Sequence, residues 1–195
     1  MKKRYISVDI ESSGQYPWNS SMVSFGACVV DGKFNKTFYA ELKPITEEYL
    51  YENFKICASQ LKCLKDYGDF NFNPQKVLRI LKEKGEEPRK IIPKFHEWIL
   101  SNSINERPVL VSDNNQFDGM FMSYYFSNFN NNINPFGYSS ESINSIFRRG
   151  SRKMSENIKN LKLSPLEFKA HNAQTDAINQ GIKFYNLLRE IGHKF

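Results

Sequence analysis

The chain has 195 residues, of which 40% are hydrophobic and 14% aromatic, and this composition fits a folded domain with a substantial core rather than a disordered chain. No apolar run approaches the ~20 residues of a membrane span, and too few apolar residues follow Met1-Lys2-Lys3-Arg4 for a signal peptide, so a single domain over residues 1–195 in the cytoplasm is expected. The formal net charge of +6 is uneven: most of the surplus lies between Ile143 and Ala170, where Arg148, Arg149, Arg152, Lys153, Lys159, Lys162 and Lys169 face only Glu156 and Glu167, a cluster that fits either phosphate binding or an ordinary solvated face.

Residues 4–10 form the first predicted strand, rich in β-branched and aromatic residues, and Met22 to Val30 the second. Asp31-Gly32 is a hairpin signal, and the alternation from Lys33 to Leu42 predicts a third strand, so the chain begins as an antiparallel meander. Lys43-Pro44 breaks the pattern. Helical fragments follow within 47–64 and over Pro74 to Lys84, around a loop from Gly68 to Asn73. From Ile91 to Leu100, Ile91, Phe95, Trp98 and Ile99 share a helical face, which leaves His96 off the stripe as a surface histidine. Pro108 to Val111 is a short buried strand, Phe117 to Phe126 a helix, the Asn-rich stretch 128–134 a loop, and Ser142 to Arg149 a further helix. The last helix runs from Asp176 to Ile191 with Ile178, Ile182, Tyr185, Leu188 and Ile191 on one side, and stops at Gly192. Strands first, then strands and helices mixed, predict an α/β domain with a mixed central sheet. Cys28, Cys57 and Cys63 lack C-x-x-C spacing, and an odd number of them points to buried free thiols rather than a disulfide framework or zinc site.

Asp9 and Glu11 are spaced i, i+2 on the first strand and point to the same face. Two carboxylates side by side are costly unless a cation holds them, and oxygen ligands of this kind suit magnesium or manganese. Alone, the pair reads as a surface strand end, because Asp-x-Glu is common. Asp118 follows the strand at 109–111, at a strand-to-helix junction where ligands gather in α/β sheets; by itself it reads as the N-cap of the next helix. His171 and Asp176 flank the start of the last helix, and singly they read as a loop histidine and a first-turn acid favoured by the helix dipole.

Together these residues change the reading. Asp9-Ile-Glu11-Ser12-Ser13-Gly14, Asn114-x-x-Phe117-Asp118 and His171-x-Ala173-x-x-Asp176-Ala177 resemble, in order and spacing, the three motifs of the DEDDh family of 3′-to-5′ exonucleases, which includes ribonuclease T-like enzymes and polymerase proofreading subunits. Val23-Ser24-Phe25-Gly26-Ala27 is similar to the family's second-strand signature, and the likeness runs from about Arg4 to Leu188. Two features depart from the pattern and bear on substrate preference: Asp113 stands where the family often has histidine, and the segment from Tyr51 to Pro88 is longer than in compact members.

The resemblance implies a ribonuclease H-like α/β fold, a mixed sheet flanked by helices. It implies a metal-dependent 3′-to-5′ exonuclease that hydrolyses the phosphodiester bonds of single-stranded DNA or RNA and releases nucleoside 5′-monophosphates, with two divalent cations, Mg²⁺ or Mn²⁺, as cofactors. Asp9 would bridge the ions, Glu11 and Asp176 would complete the ligands of the first, Asp118 would support the second through water, and His171 would be the general base. Ser12, Ser13 and Asn114 are the expected nucleic-acid contacts, and Phe117 and Phe121 offer rings for stacking on a base or for the core. A homodimer is in keeping with the family. Two other readings stand beside the enzyme: a non-catalytic nucleic-acid-binding module on the same fold, and a proofreading subunit that works with a polymerase.

Overall fold

The computed structural model describes residues 2–67, 71–151 and 171–192. Residues 68–70 of the expected loop from Gly68 to Asn73, and five members of the basic cluster, Arg152, Lys153, Lys159, Lys162 and Lys169, lie outside them.

Five strands form one mixed sheet: β1 (Lys3–Ser12), β2 (Met22–Val29), β3 (Thr37–Glu41), β4 (Arg107–Ser112) and β5 (Ser140–Ser142), in the order β3-β2-β1-β4-β5. β1, β2 and β3 are the antiparallel meander, whereas β4 lies parallel to β1 and β5 parallel to β4. The helices are α1 (Tyr51–Ala58), α2 (Pro74–Lys84), α3 (Pro88–Ser101), α4 (Asn115–Phe129), α5 (Ile143–Ser151) and α6 (Ala173–Glu190), with a 3₁₀ turn at Lys62–Tyr67.

Strand alternation divides the core. Ile6, Val8 and Ile10 of β1 join Phe25, Leu110, Phe95 and Phe121 in a cluster beneath α3 and α4. Tyr5, on the other face, meets Phe184 of α6, and Ser7, Asp9 and Glu11 follow it along that face. A third cluster packs Val23 against Phe54, Val77 and Leu81 of α1 and α2.

Four differences from the sequence-based expectations have physical causes. The third strand starts at Thr37, not Lys33, because the Asp31 carboxylate accepts the backbone N–H groups of Lys33 and Phe34, and Phe34 takes a φ of 53° that no strand residue adopts. β5 has only three residues, Ser-Glu-Ser, with no apolar alternation to announce it. The buried face of α6 is Ala173, Ala177, Gln180, Gly181, Phe184, Leu187 and Leu188, whereas Ile191 is 54% exposed; small residues win this face because they let the helix sit close on the sheet. Finally, His96 is half-buried, with Nδ1 2.9 Å from Asn130 Nδ2.

Candidate active site

Parallel strands β1 and β4 end beside the N-termini of α4 and α6, and a cavity of about 620 Å³ opens there. Asp9, Glu11, Asp118, His171 and Asp176 all line it, as does Asn114. Residues separated by up to 167 positions thus converge because β1 is the central strand and both later motifs lie on segments packed against it.

Close contact between β2 and α6 sets the spacing. Gly26 pairs with Asp9 across the sheet, and a Cβ on Gly26 would lie 2.2 Å from the carbonyl oxygen of Ala173. Only glycine admits the first turn of α6 at this distance. His171 turns the chain into the helix with a φ of 70°, its backbone N–H donates to Asp176 Oδ2 at 2.7 Å, and Asn172 caps the helix by accepting the Thr175 N–H at 3.2 Å. Asp176 therefore sits in the first turn at a fixed height above β1.

Asp118 is not the N-cap of α4, contrary to the reading of that residue alone. Asn114 occupies the cap position and its carbonyl accepts the Phe117 and Asp118 N–H groups. The Asp118 carboxylate instead points at the sheet: Ile10 N–H donates to Oδ1 at 3.2 Å and the Ser112 hydroxyl to Oδ2 at 2.5 Å.

One oxygen each from Asp9, Glu11 and Asp176 fits within 4.8 Å of the other two. Burial weighs on all four carboxylates, and repulsion from neighbouring acids adds to it at Asp9, Glu11 and Asp118. Asp9 is held well above the usual carboxylate range, first by burial and then by Asp118, Glu11 and Asp176. Burial lifts Glu11 to about 7, opposed by a hydrogen bond from the Cys57 thiol and assisted by the charge of Asp176. Asp118 also rises to about 7 through burial, against the hydrogen bonds from Ser112 and Ile10. Asp176 is raised by burial, with the His171 N–H pulling the other way. Among the described residues, Lys183 is the only lysine or arginine that lines the cavity. Converging oxygen donors with so little cationic compensation fit a hard divalent cation and match the donor chemistry of Mg²⁺ or Mn²⁺. His171 stands at the rim, half-exposed, with Nδ1 3.8 Å from Glu11 Oε1.

Ser12 and Ser13 do not line this cavity. Both are buried: Ser12 Oγ donates to the Gly14 carbonyl, while Ser13 Oγ donates to the Glu48 carbonyl and accepts the Ser21 N–H. The Ser13 N–H and C=O are taken by Ser21 and Leu50, so these serines brace the loop after β1. Phe121 is fully buried, whereas Phe117 is half-buried and lines the cavity.

Two further residues hold the site. Gln180 donates to Asp9 Oδ1 at 2.6 Å, and Cys57 of α1 donates to Glu11. Gln180 lies four residues after Asp176 on the same helix face, a spacing visible in the sequence; nothing there points to Cys57. All three cysteines are free, Cys28 buried and Cys57 and Cys63 half-buried.

No family model matches the sequence. The 3′-5′ DNA exonuclease Cap18 of Escherichia coli is 29% identical over 200 residues, an alignment covering 99% of this chain and 95% of that protein. Among solved structures, cell-death related nuclease 4 (CRN-4) superposes with a TM-score of 0.71 at 12% identity over 98% of this chain. Escherichia coli exonuclease I, in complex with a dA16 oligonucleotide, gives a TM-score of 0.67 at 16% identity over 97%. This chain spans 65% of the CRN-4 chain and 41% of the exonuclease I chain. The fold is the ribonuclease H-like fold of these nucleases, and the resemblance to DEDD-type exonucleases holds in sequence and in architecture. Among the described residues, no helix is long and apolar enough to cross a membrane.

Proposed function

We propose that this chain is a metal-dependent 3′-to-5′ exonuclease acting on single-stranded nucleic acid, with DNA the first substrate class because Cap18 is named a DNA exonuclease. The observation that carries the reading is the convergence of four carboxylates and a histidine, drawn from three distant segments, in one cavity. A non-catalytic binding module has no use for a cluster of converging, largely buried acids, which costs stability.

Asp9, Glu11 and Asp176 would hold the metal, and Asp118, its oxygens already engaged by Ile10 and Ser112, would support a second ion from farther out. Divalent cations bound there supply Lewis-acid polarisation of water and of the scissile phosphate. The chain's own groups do the rest. Gln180 and Cys57 fix the Asp9 and Glu11 carboxylates. His171 takes the proton of the attacking water as its oxygen bonds to phosphorus. The bond from phosphorus to the 3′ oxygen of the preceding nucleotide breaks, and that oxygen gains a proton from solvent. The products are a nucleoside 5′-monophosphate and a strand one nucleotide shorter with a free 3′ hydroxyl. A histidine suits the base, because carboxylates engaged with metal are poor proton acceptors.

Single-stranded DNA and RNA of equal sequence, labelled at the 5′ end and incubated with Mg²⁺, Mn²⁺ or chelator, test this. A ladder descending from the 3′ end in single-nucleotide steps is expected with metal only. Folded protein that cuts neither strand under any metal condition would falsify the proposal.

A further inference from the structure

Beyond the catalytic cavity, the loop joining β1 to β2 presents two aromatic rings to solvent. Tyr16 is 45% exposed and Trp18 63% exposed, yet the rings stack with centroids 4.8 Å apart and an interplanar angle of 13°. The loop holds them in place. Pro17 between them is buried, and Asn19 N–H donates to the Tyr16 carbonyl at 3.2 Å, closing a β-turn with proline at its second position, where its fixed φ suits the turn. The hydrogen bonds of Ser13 to Ser21, Glu48 and Leu50 brace the loop's base.

Tyr16 lines a second cavity of about 610 Å³, between its loop and the first turns of α4, and Trp18 stacks on Tyr16 beside it. It shares Asp113, Asn114 and Phe117 with the catalytic cavity, so the two adjoin across these residues. Its remaining polar lining is neutral, with Gln15, Asn115 and Gln116, and no lysine or arginine among the described residues borders it. Such a lining offers nothing to attract a phosphate, but it suits the faces and edges of nucleobases, which stack on aromatic rings regardless of sequence.

We propose that Tyr16 and Trp18 form a base-stacking platform for the nucleotides that precede the 3′ end of a single-stranded nucleic acid. This rests on the exonuclease reading, which places the terminal phosphodiester at Asp9 and Glu11, so that the preceding nucleotides leave past Asn114 and Phe117 into the adjoining cavity. The mutual stack leaves Trp18's outer face for the next base, and the turn fixes the rings before the strand arrives, which lowers the ordering cost of binding.

Binding without chemistry tests the platform. Fluorescently labelled dT12 is titrated with the protein in chelator and read by anisotropy. The double variant Tyr16→Ala/Trp18→Ala should raise Kd at least about tenfold, the effect of losing one stacked base, whereas Tyr16→Phe/Trp18→Phe should stay within about threefold of the unsubstituted protein. An alanine pair that binds dT12 as well as the parent overturns the proposal and leaves the rings to a protein partner or a second copy. A phenylalanine pair as weak as the alanine pair overturns it too, because rings that only stack would survive that exchange. The two readings separate cleanly. Ring-dependent binding without metal-dependent shortening of dT12 removes the catalytic reading alone, and shortening with unaltered alanine-pair binding removes the platform alone.

Discussion

Gln180 holds Asp9 from within the protein: its side-chain N–H₂ donates to Asp9 Oδ1 at 2.6 Å, and its carbonyl accepts the Asp113 N–H at 3.1 Å. The second bond fixes the orientation of the first, because an amide whose oxygen is taken by a backbone donor must turn its nitrogen to the carboxylate. One side chain thereby ties the first motif to the segment before α4.

Replacing Gln180 with leucine keeps the volume but strands the Asp113 N–H and frees Asp9 to rotate. A positioning residue beside a metal ligand is worth about 10–100-fold in metal affinity or activity. The expected outcome for Gln180→Leu is a fall of that size in kcat/KM, partly recovered at high Mn²⁺, because what is lost is the set of the ligand rather than the ligand. A purely structural role would lower the folded fraction and leave the metal dependence of the remaining activity unchanged; titrating activity against Mn²⁺ at constant folded protein separates the two.

The carboxylate cluster makes a prediction about pH in the absence of metal. Glu11 and Asp118 rise to about 7 from ordinary values of 4.5 and 3.8, chiefly through burial, so the folded protein keeps protons that the unfolded chain releases. Their contribution is complete below the unfolded values and is lost as pH rises through about 7; each shift corresponds to roughly 3–4 kcal/mol. The pairs Lys82–Glu47 and Lys43–Glu87 act in the opposite direction, but Glu47 and Glu87 are open to solvent and water screens them. In chelator, the thermal midpoint should therefore be lower at pH 8 than at pH 5, by roughly 10–20 °C for a chain of this size, since each group's contribution is still being lost over about two pH units above pH 5. Mn²⁺ should raise it more at pH 8, where it no longer competes with protons. A metal-free protein more stable at pH 8 would be incompatible with the buried acids described.

Much of this site is legible in the sequence because strands have a period of two. Asp9 and Glu11 must share a face, and the meander of β1 to β3 and the position of Asp118 after β4 follow from the same reasoning. Other features have no local signature. The alternation past Gly32 looks like strand up to the point where the Asp31 side chain captures two backbone donors. A stripe chosen by hydrophobicity puts Ile178, Ile182 and Ile191 on the buried side of α6, whereas contact distance selects Ala173, Ala177 and Gly181, since a Cβ on Gly181 would come within 3.4 Å of Ser7 Cβ. Cys57 reaches Glu11 only through the placement of α1, which no spacing between the motifs encodes.

Gly26 turns that close packing into a test. An alanine there would place its Cβ 2.2 Å from Ala173 O and 2.5 Å from Gln174 Cα, both backbone atoms that cannot yield without moving α6. Shifting the start of α6 displaces His171 and Asp176 together, and about 1 Å at a reacting group can cost 100-fold. Gly26→Ala is expected to lose at least that in kcat and to unfold several degrees earlier. Gly119→Ala is the contrast: inside α4 its Cβ would meet only Asn115 Oδ1, at 3.7 Å, and the gain in helix propensity of about 1 kcal/mol should raise the thermal midpoint. Calorimetry of both variants beside their turnover decides whether the cost at Gly26 comes from the contact with α6 or from any methyl added to the fold.

The assignment of His171 as base makes the sharpest division between binding and chemistry. Its imidazole stands half-exposed at the rim, while Asp176 takes its hydrogen bond from the backbone N–H of residue 171, which any substitution other than proline preserves. Because residue 171 has a φ of 70°, asparagine is the replacement that tolerates the backbone without supplying a base. His171→Asn should leave the oxygens of Asp9, Glu11 and Asp176 in place, so Mn²⁺ affinity by calorimetry should stay within a few-fold of the parent. Turnover should fall by about 10²–10⁴, the usual worth of a general base. Turnover near the parent's would put the base elsewhere in the cavity. Mn²⁺ affinity falling in step with turnover would mean that the imidazole acts on the metal ligands, through its 3.8 Å approach to Glu11, and not on water.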